Sequence, residues 1–226
     1  MKVLCTNGVK AVTAELIPVV GRTISLSIDV DYGSTNLLMD KIGGGETGDL
    51  AVLSAEAIDG LIGKGVLQKG SRTDLARSSI GVAVRSGMVG PDIGTVDALK
   101  AALLAAKSVI YSRTGISGVY MPKMLAQLGI ADQIAPKAVY PSYGTVGEAL
   151  ARGEAELALQ QISELLPVPG INVVGPLPGP VQLVTIFSAG TFSSAAEPRA
   201  VRMLVEQLTA NTARPLYTAK GLEPAF

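Results

Sequence analysis

The sequence predicts an α/β protein built as two doubly wound lobes with a cleft between them. Through the first eighty positions, short apolar runs alternate with apolar residues at helical spacing, each pair joined by a small polar turn. That alternation is the mark of βα units on a largely parallel sheet. It resumes after position 80, and a final strand and helix lead the chain back to the first set. The lobes are therefore expected at 1–80 with 185–226, and at 81–184, with crossings near Ser79–Gly81 and Leu183–Thr185. A chain of 226 residues, 48% of them hydrophobic, buries a sizeable core without disulfide or metal.

Lys2–Cys5 is the first strand; Thr6-Asn7-Gly8 turns, and Val9, Val12, Leu16, Val19 and Val20 follow at helical spacing. Ser25–Val30 alternates Leu26, Ile28 and Val30 and is predicted as the second strand, with a turn at Tyr32-Gly33-Ser34-Thr35 and a helix from Leu37 to Ile42. Ala51–Leu53 is the third strand, and Ser54-Ala55 opens a helix through Ile58, Leu61 and Ile62. In the second set, Ile80–Val84 is a strand, Gly87–Gly94 a loop and Ala98–Ala106 a helix opened by Thr95-Val96-Asp97. Val109–Tyr111 is the next strand; Gly118–Leu128 is a helix in whose first turn Pro122 is expected. Val139-Tyr140 precedes a turn at Pro141-Ser142-Tyr143-Gly144-Thr145, then come the helix Val146–Arg152 and the strand Leu157–Gln160. Val168–Pro180 reads as a proline- and glycine-rich loop, Val181–Phe187 as the returning strand, and Ala196–Ala210 as the closing helix.

Nineteen basic residues cancel nineteen acidic ones, and charged residues make up only 17% of the chain. Soluble domains usually carry about 25%. A balance so sparse and neutral argues against a nucleic-acid partner or a polybasic membrane surface. No apolar stretch is long enough to embed the chain in a membrane. With no histidine and a single cysteine, Cys5, the sequence excludes a Ser-His-Asp triad, a Cys-His pair, a histidine-ligated metal and an internal disulfide. No metal and no cofactor is expected. Gly43-Gly44-Gly45-Glu46-Thr47-Gly48 is not followed by the Lys-Ser/Thr of a phosphate loop, and no dinucleotide fingerprint follows the first strand. Cys5 reads as a buried, inert thiol.

Four strand-to-helix turns are rich in small polar residues: Thr6-Asn7-Gly8, Gly33-Ser34-Thr35, Thr114-Gly115-Ile116-Ser117-Gly118 and Ser142-Tyr143-Gly144-Thr145. In an open α/β sheet such turns lie at the carboxyl ends of the strands, where ligands bind, and each helix start offers open backbone N–H groups to an anion. Each turn singly is also what ordinary helix capping requires; together they describe an anion site. Arg113, just past a strand, suits a carboxylate as a bidentate partner or serves as a loop salt bridge. Arg77, near the first crossing, is a candidate for hinge or ligand contact. Gln160-Gln161 closes an apolar strand, and one of the amides is expected to face solvent or a cleft, because burying an unpaired amide is costly. Tyr111, Tyr140 and Tyr143 gather near the turns of the second lobe, as hydrogen-bond donors or as rim packing.

Several segments carry a family resemblance. Val3-Leu4 with its polar turn, Asp31-Tyr32-Gly33-Ser34-Thr35 followed by Leu38 and Ile42, Gly48-Asp49-Leu50-Ala51-Val52-Leu53-Ser54-Ala55 and Gly65-Val66-Leu67 resemble the extracytoplasmic solute-binding proteins of ABC transporters. The nearest group is the molybdate-binding type of the class II periplasmic-binding fold. Val146–Ala158 resembles that group's late helix and strand, and Ala219-Lys220-Gly221-Leu222-Glu223-Pro224 its ending. The resemblance implies a small anionic ligand and an ABC transporter permease as partner. Where the group binds oxyanion through two serines, the first position falls on Gly8 beside Asn7, and Ser34 or Thr35 keeps the second. Backbone contacts map onto Ser117 and Val146, and the group's tyrosine aligns with Gln161. Arg113 enters a turn where that family has no general need of a cation, so an organic carboxylate or related oxyanion is expected in place of molybdate. The expected ligand set is Asn7, Gly8, Ser34, Thr35, Ser54, Arg113, Ser117, Tyr143, Val146 and Gln161. The same superfamily includes aconitate isomerase, so the alternative is an isomerase working by allylic proton transfer, with no base singled out among Tyr143, Glu148 and Lys10. The first residues lack the apolar core of a secretory signal, so the protein is expected in the periplasm if a leader has been removed and in the cytoplasm otherwise.

Overall fold

The apolar run Lys2–Thr6 forms β1, buried on both faces as a parallel strand covered by helices must be. A short 3-10 turn, Asn7–Val9, leads into α1 (Lys10–Thr23). β2 (Asp29–Gly33) and β3 (Leu50–Ser54) flank β1 in parallel, with Lys2 beside Asp29 and Val3 beside Leu50. α2 (Thr35–Gly43) and α3 (Ala55–Gly63) follow their strands directly, and Leu38, Ile42, Ile58 and Leu61 pack with Leu4, Leu53 and Phe192. The computed structural model describes all residues from Met1 to Phe226. It divides into two compact units, Met1–Ser78 with Thr185–Phe226, and Ser79–Val184.

β4 (Thr73–Arg85) carries the chain out of the first unit, and β9 (Val184–Thr191) carries it back to pair antiparallel with β3. The second unit contains α4 (Val96–Ala105), β5 (Val109–Ile110), α5 (Ile116–Gln127), α6 (Ala131–Ile134), β6 (Ala138–Val139), α7 (Val146–Ala151), β7 (Leu157–Gln161), α8 (Ile162–Leu165) and β8 (Ile171–Pro176). β5 lies parallel between β6 and β7, while β4 runs antiparallel to β7 and β8. Its main core joins Ile80, Val82, Leu99, Leu103, Met121, Met124 and Leu159 on one face; Ala83, Ile110, Leu150, Ala158 and Leu165 form a smaller one. The first unit is completed by α9 (Pro198–Leu208), α10 (Arg214–Ala219) and β10 (Glu223–Pro224), which pairs with β4. No helix is long and apolar enough to cross a membrane.

The structure corrects the sequence reading at several elements. The sheet is mixed, because β4, β9 and β10 run against their neighbours. The second strand is Asp29–Gly33, not Ser25–Val30: Ser25 takes φ 54° and the Leu26 N–H bonds back to Gly21 O, so this stretch closes α1, and of the residues read as a turn Tyr32 and Gly33 are strand while Ser34 caps α2 and Thr35 begins it. Within the loop expected at 168–180 lies β8, whose bulge opposite Val82 and Ala83 leaves Val174 without a pairing partner between Val173 and Gly175. The returning strand starts at Val184 and reaches Thr191, since Pro178 and Pro180 shape a 3-10 turn before it. Pro122 falls in the middle of α5, because the helix begins at Ile116.

Candidate functional site

In the first unit, Thr6 pairs beside Gly33, and Cys5 beside Val52, so the turns after β1, β2 and β3 share one edge. No side chain caps the 3-10 turn after Thr6 or the start of α1, which leaves backbone N–H groups near Asn7 and Gly8 open. Ser34 and Ser54 are N-caps: Ser34 Oγ accepts from the Leu37 N–H at 3.2 Å, and Ser54 Oγ from the Ala57 N–H at 3.4 Å. Thr35 is buried, and its hydroxyl donates to Thr6 Oγ1 at 3.2 Å. A Cβ on Gly8 would lie 2.1 Å from Cζ of Phe187, so the ring fills the space a serine side chain would need. Cys5 is fully buried, and burial pushes its thiol up to about 12, which keeps it inert.

In the second unit, β5 ends at Ile110, level with Val139 on β6 and Ala158 on β7. Ser112 Oγ accepts from the N–H groups of Thr114 and Gly115, at 3.2 and 3.0 Å, while α5 opens with no side-chain cap. The buried Ser117 stands at that open start. A Cβ on Gly118 would fall 1.7 Å from the Ser112 carbonyl oxygen, so only glycine lets the helix begin so close to the strand. Arg113 is exposed, and its guanidinium lies 4.1 Å from the centre of the Tyr140 ring. Its face is spent on the ring, leaving the N–H fork in plane for a carboxylate. No acidic side chain pairs with it. Tyr140 meets Tyr111 edge to face, with hydroxyls 3.3 Å apart; burial, then the Tyr140 hydrogen bond, push the Tyr111 phenol up to about 12, so it stays protonated.

The buried Val146 opens α7 behind a capping box: Thr145 Oγ1 accepts from the Glu148 N–H at 3.3 Å and Glu148 Oε2 from the Thr145 N–H at 2.7 Å. Glu148 is thereby committed to the helix start. Tyr143 is 67% exposed and lies under the Arg152 guanidinium, 3.9 Å away. Arg77 pairs with Glu223 at 3.1 Å, an exposed ion pair between β4 and β10. Both glutamines are buried, so of the two expected settings, solvent or a cleft, bulk solvent is excluded for either. Gln160 Nε2 donates to Glu164 Oε2 at 2.8 Å, while Gln160 Oε1 has no partner. Burial pushes the Glu164 carboxyl up to about 7, against the pull of the Gln160 hydrogen bond. The sequence reading missed Glu164; its one signal is an acid four places after an amide that ends a strand.

Asn7, Gly8, Ser34, Thr35 and Ser54 thus come together at one edge of the first unit, and Arg113, Ser117, Val146 and Gln161 at one edge of the second, with Tyr143 outside on its loop. No group of three or more His, Cys, Asp or Glu side chains could hold a metal. A groove of about 540 Å³ beside α1, lined by Ile17, Pro18, Leu26 and Ile28 among others, includes none of these residues.

The family model described as "Bacterial extracellular solute-binding protein" matches residues 1–223. The chain belongs to that family. It is 34% identical to an aconitate isomerase from Pseudomonas sp. over 230 aligned positions, covering 99% of this chain and 87% of that protein. The fold of this solute-binding family member is similar to the periplasmic molybdate-binding protein of Azotobacter vinelandii, with a TM-score of 0.80, 16% identity and 98% of each chain covered. It is also similar to the sulfate-binding protein SubI of Mycobacterium tuberculosis, with a TM-score of 0.79, 14% identity, and 100% of this chain and 86% of that one covered. The class II periplasmic-binding fold is therefore the fold of this chain.

Proposed function

We propose that this protein binds an unsaturated tricarboxylate of the aconitate class and shifts its double bond. The observation that carries the ligand class is Arg113, exposed, without an acidic partner and stacked on Tyr140 where β5 ends. A spherical oxyanion is well served by neutral donors; a carboxylate repays a planar, fixed guanidinium. Ser117, Val146 and Gln161 supply neutral contacts beside Arg113 on the second unit, and Asn7, Gly8, Ser34, Thr35 and Ser54 form a set of neutral groups on the first. The isomerase step is supported by the 34% identity to an aconitate isomerase across 99% of the chain.

The chemistry needs no cofactor. A C–H bond on the methylene carbon breaks, its electron pair becomes part of the new double bond, and the old π pair takes a proton at the far carbon. Charge gathers on the allylic system and its carboxylates during the step, where Arg113 and the open N–H groups of α5 stabilise it. A second reading, favoured by the family match over residues 1–223, is a receptor that delivers a carboxylate to an ABC transporter permease without altering it.

Incubation with cis- or trans-aconitate in deuterated water, followed by proton NMR, separates the two. Interconversion with deuterium entering the carbon skeleton is the expected result. Tight binding without exchange would leave the receptor reading, and tight molybdate or sulfate binding with no carboxylate binding would overturn both.

A further inference from the structure

Isomerisation requires one group that takes a proton and returns it, and the residues considered from the sequence are engaged elsewhere. Glu148 closes the α7 capping box, the exposed Tyr143 lies under Arg152, and the exposed Lys10 stands over the Tyr32 ring at 5.2 Å. Another carboxyl is better placed. β7 runs parallel beside β5 with Ala158 level with Ile110, so Gln160 and Gln161 lie past the last paired position, at the end of β7 next to the turn that carries Ser112 and Arg113. α8 starts directly after Gln161 and folds Glu164 back onto Gln160, Nε2 to Oε2 at 2.8 Å. Gln160 is 5% exposed, and its Oε1 is buried with no partner in the protein. A buried amide oxygen left open in this way calls for a donor that the fold does not supply.

We infer that Glu164 is the catalytic residue that moves the proton between the two carbons of the substrate, with Gln160 as its positioning residue. The inference rests on the isomerase reading above. In the step, the Glu164 carboxylate takes a proton from the methylene carbon and the resulting carboxylic acid returns it to the far carbon. One C–H bond breaks and one forms, the double bond moves by one position, and Glu164 ends as it began. Burial raises the Glu164 carboxyl to about 7, where acid and base forms are both at hand near neutral pH. The elements packed on α8 add no competing charge: β7 and β8 carry no ionisable side chain, Glu148 of α7 is held in its capping box, and Arg152 at the end of α7 pairs with Glu154.

The test uses the full chain with aconitate as probe and four variants: Glu164→Gln, Glu164→Asp, Gln160→Ala and, as a control, Glu148→Gln. Glu164→Gln is expected to lose at least about a hundredfold in kcat, the usual weight of a general acid–base group, while calorimetry shows aconitate still bound. Glu164→Asp should recover part of the rate, and Glu148→Gln should stay near wild type. The kcat/KM profile of the wild type should rise with an apparent pKa near 7, and Gln160→Ala should move that limb, which a purely structural residue would not do. If Glu164→Gln fails to fold, the Gln160→Ala profile decides. Turnover in the wild type with an unaffected Glu164→Gln, or an unmoved limb in Gln160→Ala, would overturn the assignment alone; no turnover in the wild type would overturn the isomerase reading and this inference with it.

Discussion

Arg113 and Glu164 place opposite demands on the same edge of the second unit. The guanidinium stacked on Tyr140 costs little to hold because it is exposed and pre-oriented. Removing it should cost about 1.5–3 kcal/mol of carboxylate affinity, the worth of a charge-assisted contact. Calorimetry on Arg113→Ala with di- and tricarboxylates measures this directly, and an unchanged affinity would take Arg113 out of the site. Lysine should not substitute, since a point charge lacks both the stack and the planar fork. Glu164 costs stability instead. Its folded pKa, about 7, lies above the ordinary 4.5, so the folded protein holds that proton longer than the unfolded chain does. Its contribution is therefore full at low pH and is lost as pH rises through about 7. Urea midpoints for wild type and Glu164→Gln should converge near about pH 4 and separate towards about pH 8, with the wild type the weaker. Asp74, held low by Arg72 and Ser188, has the opposite sign, but it is common to both proteins and cancels in the difference. Parallel curves would show that Glu164 titrates normally.

The start of α5 shows how an element sets the proposed site. Ser112 Oγ ties down the turn, Gly118 lets the helix approach the strand end, and Arg113 and Ser117 are placed by that geometry. This much was legible in the sequence, because a small polar turn between an apolar run and a helical pattern has few other uses. β1, β3, α3 and α9 were legible for the same reason: their apolar periods match their burial. The failures have local causes. Leu26, Ile28 and Val30 alternate like a strand, yet Ser25 in the left-handed region and the Leu26 bond to Gly21 turn the stretch back on α1. β8 hides among prolines and glycines because it is half-exposed and bulged, so neither composition nor alternation marks it. α8 is only four residues long, too short for any period, and Glu164 was lost with it. The Gln160–Glu164 bond spans a strand end and a helix start, a contact that no single-element pattern encodes.

The chain enters its second unit once and leaves it once, so residues 79–184 are contiguous while the first unit is assembled from both ends. The second unit can close as soon as it is synthesised; the first must wait for β9 to reach β3. Ligand binding offers a test at this scale of whether the two sets of residues serve one molecule. A ligand at about a hundredfold over its dissociation constant stabilises its target by about 2.7 kcal/mol. If aconitate engages residues of both units, scanning calorimetry should show the unfolding of both move upward together. Movement of one transition with the other fixed would confine the ligand to one unit.

Any lineage carrying Gly8 beside Phe187 faces an ordering problem. Serine at residue 8 would drive its Cβ into a ring atom 2.1 Å away, so that change cannot come first. Shrinking the ring first empties a core position only 1% exposed, at a cost of about 3–5 kcal/mol for phenylalanine to alanine. Each single step is penalised, while the double replacement relieves the clash, refills part of the lost volume and supplies the hydroxyl. A change to a serine-lined pocket is thus walled off by packing, and a directed-evolution search that samples one position at a time should miss it, whereas a paired library at residues 8 and 187 should not.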